Sequence, residues 1–226
     1  MTILVINNYP DKKDQCKIDQ IKKALSDLGK SAVVVSFSEI NDQALSKEVE
    51  AVILSGSNMH LSKPEHLVMY QTEIEFVRKA EIPVLGICFG HQLIGVAFGS
   101  ELNSFQTYIK DFQKMKILKP DEIFSSWKEG DIVKVYQYHK DYLLELPERF
   151  ECLAESQFCK IEAMRHQTKP IYGIQAHIER ATNENPDGFK ILENFIENAQ
   201  KYIDAWIRRQ LKDELTKQTI VSQDTQ

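Results

Sequence analysis

The stretch Pro83-Val84-Leu85-Gly86-Ile87-Cys88-Phe89-Gly90-His91-Gln92 constrains the fold more than any other part of the chain. An apolar run that fits a buried strand ends at Gly86, and a segment that fits a helix, Phe89 to Phe98, begins directly after Cys88. A strand that becomes a helix within one residue leaves that residue on a sharp corner. The spacing Gly86-x-Cys88-x-Gly90 is the cysteine form of a nucleophile elbow, in which the flanking glycines let chain segments pass close to a strained, exposed nucleophile. A sulfur placed there meets the partial positive charge of a helix N-terminus. The N–H of Phe89 is also placed to face a developing oxyanion.

A free cysteine is most often a small buried hydrophobe, and that reading suits the other three. Cys16 falls in a polar helical segment, while Cys152 and Cys159 have neither a CxxC spacing nor matched histidines for zinc, so no metal site is expected. For Cys88 the glycines on both sides have no packing rationale in a core strand and a clear one in an elbow.

The rest of the chain supplies a setting for that corner. Ile3 to Asn8 reads as a short buried strand, Asp14 to Leu28 as a helix stopped by Gly29, Ala32 to Phe37 and Ala51 to Leu54 as further strands. A helix opened by Pro64 carries Leu67, Tyr70, Ile74 and Val77 inward. Continuous apolar strands alternating with amphipathic helices predict the α/β class: a doubly wound, largely parallel central sheet covered by helices on both faces. Residues 101–166 hold short alternating stretches and read as added antiparallel strands. Lys169 to Ala176 returns as a strand ending at His177, and Asp187 to Trp206 as a helix. Residues 1–200 are expected to form one domain, with 201–226 a helical extension and polar tail. The stripe Ile203, Trp206, Ile207 and Leu211 there would either pack on its own domain or dock a partner.

A net charge of −5 gives no basic surface for nucleic acid. No apolar run reaches membrane-spanning length, and the N-terminus lacks a basic region and cleavage site, so a cytoplasmic protein is expected.

A cysteine nucleophile in acyl transfer needs an acid/base partner, for which histidine is the usual choice. Among six histidines, His60, His66 and His91 flank or enter helices, His166 ends an alternating strand, and His139 is a second-rank candidate. His177 ends a predicted buried strand, the edge at which α/β proteins build sites, and Glu179 lies two residues beyond it. An acid so placed would orient the imidazole, the third role of a triad.

With Cys88, His177 and Glu179 in view, the chain resembles the class I, or triad, glutamine amidotransferases. Gly86-Ile87-Cys88-Phe89-Gly90-His91-Gln92 matches that family's nucleophile motif, and Tyr172-Gly173-Ile174-Gln175-Ala176-His177-Ile178-Glu179 resembles its histidine motif. The segments 162–173 and 188–195 look like the glutaminase parts of GMP synthetase and anthranilate synthase. The resemblance implies attack of Cys88 on the side-chain amide of glutamine, a γ-glutamyl thioester, and release of ammonia, with no cofactor. It implies that Gln92 lies near the bound glutamine. It also implies that Gly56 lies at the bound substrate, and that the Ser55-Gly56-Ser57 turn completes an oxyanion hole through the N–H of Ser57 with that of Phe89.

Departures from the family pattern are visible. Ser57 stands where a second glycine is common, at a cost of roughly 1–2 kcal/mol should the turn need φ > 0. Ala176 and Ile178 replace Phe and Pro beside the histidine, and Tyr138-His139-Lys140-Asp141 loosely resembles the Ser-His-Gly-Asp of GMP synthetases. No G-x-x-x-x-G-K-[ST] loop is present, so the resemblance implies a synthetase partner acting in trans. Two alternatives remain at this level: a free-standing γ-glutamyl hydrolase, and a weakly active regulatory relative.

Overall fold

Ile3 to Ile6 are apolar without alternation, which suits a strand buried on both faces, and they form the centre of β1 (Thr2–Asn7). The computed structural model describes residues 1–40 and 49–223, with side chains as far as 212. After β1 come α1 (Gln15–Asp27), β2 (Ser31–Ser36), β3 (Val49–Leu54), α2 (Pro64–Met69), α3 (Gln71–Lys79), β4 (Val84–Ile87) and α4 (Phe89–Ala97). Then follow β5 (Leu102–Ile117), β6 (Ile132–Leu143), β7 (Phe150–Glu155), β8 (Ala163–His166), β9 (Ile171–Ile174) and α5 (Asp187–Gln223).

The described strands form one sheet in the order β2-β1-β3-β4-β9-β8-β7-β5-β6. The half from β2 to β9 is parallel, and the half from β9 to β6 is antiparallel. β9 joins the halves, parallel to β4 on one side and antiparallel to β8 on the other. Residues 101–166 therefore extend the parallel sheet instead of forming a layer apart.

Helices cover both faces. Ile3, Val5, Ile53 and Leu85 meet Ile18, Ile21 and Leu25 of α1 and Leu192, Phe195 and Ile196 of α5. On the other face Leu4, Val52, Leu54 and Val84 meet Ile74 and Val77 of α3 and Leu93, Ile94 and Ala97 of α4. Gly29 stops α1 with φ +69, as its position predicts.

Three elements differ from expectation. The helix opened by Pro64 breaks at Tyr70 into α2 and α3, where the tyrosine hydroxyl donates to Asn8 O at 2.6 Å and its ring packs on Phe37 and Phe89. β9 stops at Ile174, and Gln175 to His177 form the exit from the strand. The last helix continues without a break to Gln223, past the start expected for a polar tail; residues 224–226 of that expected tail lie outside the described residues. Trp206, Ile207 and Leu211 are exposed on it. No helix among the described residues is long and apolar enough to cross a membrane.

Candidate active site

The C-terminal ends of the parallel strands gather the chemistry-bearing residues: Asn8 after β1, Ser55 to Ser57 after β3, Cys88 after β4, and Gln175 to Glu179 after β9. Cys88 turns the chain from β4 into α4 with φ 51 and ψ −100, a region that residues with a β-carbon seldom occupy. Its N–H donates to Ile174 O at 2.8 Å, which pins the corner to β9. The elbow glycines are needed for close approach. A β-carbon on Gly86 would collide with the carbonyl of Gly90, and one on Gly90 would lie 2.5 Å from Leu54 O.

His177 is fixed by its N–H to Tyr136 O at 2.8 Å, and its Nδ1 lies 2.7 Å from Glu179 Oε1. The Cys88 side chain lies near enough to the ring to favour its charged form. Burial disfavours the imidazolium, yet the Glu179 carboxylate and Cys88 outweigh it and hold His177 well above the ordinary histidine range. For Glu179 burial likewise opposes the charge, and His177 and then Arg180 hold the carboxyl below its ordinary value. The Arg180 Nε lies 3.8 Å from Glu179 Oε1, with the guanidinium over the rings of Tyr136 and Tyr138.

Gln92 is buried one turn along α4; its Nε2 donates to Asp141 O at 2.7 Å and to Gln175 Oε1 at 3.2 Å. Gln175 Nε2 in turn donates to Cys88 Sγ at 3.7 Å. Ser57, Cys88, Phe89, Gln92, Tyr108 and Tyr138 line one cavity of about 30 Å³. That space holds a water or two. Cys88 is accordingly only 4% exposed, with Tyr138 O 3.9 Å from its sulfur.

Ser57 does not carry positive φ, so the conditional cost of a serine at positive φ does not arise in this conformation of the turn. Its hydroxyl donates to Asn8 O at 2.7 Å and accepts from Met59 N at 3.1 Å, bonds a glycine would not make. Gly56 is tightly placed: a β-carbon there would lie 2.8 Å from the Tyr9 hydroxyl and 2.9 Å from His177 Cε1.

The other histidines sort by surroundings. His91 is enclosed, pushed down to about 3 by burial, and Gly173 makes room for its ring. His139 is pushed down to about 4, chiefly by burial, and its Nδ1 lies 3.0 Å from Asp141 O. His60 lies 3.1 Å from Asp141 Oδ2, and the ring nitrogens of His66 and His166 accept backbone N–H groups. Sequence reasoning misses Gln175, Tyr108, Tyr138 and Asp141 as site residues. The alternation of Tyr136 and Tyr138 with Gln137 and His139 along β6 signals a strand wall, but not which side faces the cysteine. A groove of about 780 Å³ between β5–β6 and residues 155–160 holds none of these groups.

The family model described as glutamine amidotransferase class-I matches residues 10–199. A glutamine-hydrolysing GMP synthase subunit from Methanothermobacter thermautotrophicus is 34% identical over 193 residues, 85% of this chain and 95% of that protein. Its counterpart in Methanosarcina barkeri is 35% identical over 202 residues, 89% of this chain and 98% of that one. A solved structure from Thermoplasma acidophilum, described as the same subunit of a GMP synthase, superposes with a TM-score of 0.77 at 24% identity, covering 91% of this chain and 97% of that one. A glutamine amidotransferase from Thermotoga maritima gives 0.72 at 17%, covering 88% and 97%. At those identities the two structures speak for the fold.

Proposed function

The chain belongs to the class-I glutamine amidotransferase family, and on that premise we propose that it is a glutaminase subunit that supplies ammonia to a separate synthetase, as in GMP synthase. The observation that carries the reading is the contact chain from an elbow cysteine through His177 to Glu179.

In this reading the proton of Cys88 already rests on the raised His177, and the thiolate sulfur attacks the amide carbon of the glutamine side chain. The C=O electrons move onto oxygen, which faces the N–H of Phe89 at the start of α4 and the Gly56–Ser57 turn. His177 then returns the proton to the leaving nitrogen, the C–N bond breaks, and ammonia departs from a γ-glutamyl thioester. Water, deprotonated by His177, attacks the thioester; glutamate leaves and the thiolate is restored. Glu179 fixes the imidazole tautomer and supports its charge. Gln92 and Gln175 hold the floor behind the sulfur. Tyr108 and Tyr138, which line the cavity together with Cys88, would flank the glutamine side chain.

The experiment is intact-mass labelling of the purified chain with diazo-oxo-norleucine, followed by peptide mapping. A single adduct on Cys88, suppressed by excess glutamine, is expected. Alkylation of Cys88 by a small generic reagent without any adduct from the glutamine analogue would overturn the assignment of a glutamine pocket.

A further inference from the structure

The turn that faces Cys88 is held from beneath by a buried polar cluster that the mechanism does not use. Asn8 is fully buried at the end of β1. Its main-chain N–H donates to Ser55 Oγ at 2.9 Å, and its side-chain amide donates to Ser55 O at 3.0 Å and to Glu73 Oε1 at 3.1 Å. Its carbonyl accepts from the hydroxyls of Ser57, at 2.7 Å, and Tyr70, at 2.6 Å. Gly56, between Ser55 and Ser57, lies against the His177 ring. Contact therefore runs unbroken from Glu73 on α3 to the imidazole.

Two buried oxygens in this cluster lack hydrogen-bond partners, Asn8 Oδ1 and Glu73 Oε2. They are the remaining oxygens of a side-chain pair whose Nδ2–H···Oε1 bond is already made. As two acceptors they would both be orphaned, at the desolvation cost of each. One proton on Oε2 makes it a donor and lets an acid–amide ring close, Nδ2–H to Oε1 and Oε2–H to Oδ1. Burial acts in the same sense, holding the Glu73 carboxyl up at about 8, with the Asn8 hydrogen bond opposing only in part. The groups facing Glu73 are Asn8 from β1 and Tyr70 from the α2–α3 break; Tyr70 is titratable, and burial keeps it neutral.

We propose that Glu73 is carried as the neutral acid in a ring with the Asn8 amide, and that this ring is the positioning element fixing the Ser55–Ser57 turn against His177 and Cys88. Its consequence for turnover rests on the glutaminase reading; the protonation does not. Ionised, Oε2 would repel Asn8 Oδ1, and an amide that turns over to relieve this withdraws its N–H from Ser55 O. The turn then loosens where the oxyanion develops, which lowers kcat and leaves KM nearly unchanged.

Two measurements test this. Carboxyl ¹³C NMR of glutamate-labelled protein, with Glu73→Gln used to identify the signal, should show Glu73 titrating near pH 8. A Glu73 carboxyl already ionised at pH 6 overturns the proposal whatever the protein's activity. In glutamine hydrolysis followed against pH, Glu73→Gln is the conservative rescue, because its amide makes both bonds at every pH. It should remove a fall in kcat that the wild-type chain shows near pH 8. Glu73→Leu should lower kcat about tenfold or more with little change in KM. The same alkaline fall in Glu73→Gln as in wild type overturns the positioning role, and should Glu73→Leu not fold, that comparison decides alone. Should the wild-type chain fail to turn over glutamine, the glutaminase reading fails and the NMR titration still decides the protonation.

Discussion

Cys88 sits at φ 51 and ψ −100, a conformation that costs a residue with a β-carbon about 1–3 kcal/mol. Glycine escapes most of that cost. Cys88→Gly is therefore expected to be more stable than Cys88→Ala by about 1 kcal/mol, the reverse of the order at ordinary helix and strand positions. Urea unfolding of the two variants measures the difference, and equal midpoints would mean that the corner stores no strain. At this scale the elbow is legible in the sequence because only glycine tolerates the approach of Gly86 to Gly90 and of Gly90 to Leu54. The polar groups beneath it are not. Glu73 and Glu75 read alike in the sequence Gln71-Thr72-Glu73-Ile74-Glu75, yet one is buried against Asn8, 65 residues away, and the other bonds Gln71 at the surface. Ser57 is a like case: residue type alone does not report the backbone, which does not take up positive φ there.

The β5–β6 ribbon shows how pairing register decides what a pattern of alternating residues becomes. Residues 101–166 are legible as antiparallel strands from their alternation, but not as a sixteen-residue β5 whose register slips between Ser104 and Ile109. That slip accompanies the stacking of Phe105 on Tyr142 and of Tyr108 on Tyr138, the second pair lining the cavity at Cys88. The same pairing sets Lys114 directly opposite Lys134, beside a groove that Lys116 and Lys160 also line. Like charges directly opposite are destabilising. Lys114→Glu should therefore stabilise the chain by a few tenths to about 1 kcal/mol at low salt, and the gain should shrink as salt is added. No gain in melting temperature at low salt would show that the lysines avoid each other by other means. Helix boundaries escape the sequence for a related reason: Leu67, Tyr70, Ile74 and Val77 keep helical spacing across the break between α2 and α3, because both helices turn the same face inward.

For the whole molecule, buried titratable groups set a stability profile whose sign follows from counting protons. Glu73 and Glu162 are held at about 8 and about 7 by burial, above the 4.5 of an exposed glutamate, so the folded chain keeps protons that the unfolded chain loses above 4.5. His91 and His139, pushed down to about 3 and about 4 by burial, do the reverse below 6.5. Between 4.5 and 6.5 two groups of each kind offset one another, and stability should stay nearly level. Above 6.5 the histidine contribution ends, Glu73 still holds its extra proton, Glu162 gives up its own near 7, and His177, raised by Glu179 and Cys88 against the effect of burial, holds another. Stability should therefore fall as pH rises from 6.5 to 8, by up to about 3 kcal/mol per pH unit for a difference of roughly two protons. Below 4.5 the glutamate contribution ends. His91 and His139, still neutral, and Glu179, held ionised, then make the unfolded chain the better proton binder, so stability falls with falling pH. Urea midpoints measured from pH 4 to 9 should trace a plateau with an edge on each side. Glu73→Gln and Glu162→Gln should each flatten the alkaline edge and move the start of the acid edge up from 4.5 to 6.5, because the remaining glutamate offsets only one of the two histidines. An alkaline edge unchanged in both variants would mean that these carboxyls are ionised in the folded chain and that other groups set the profile.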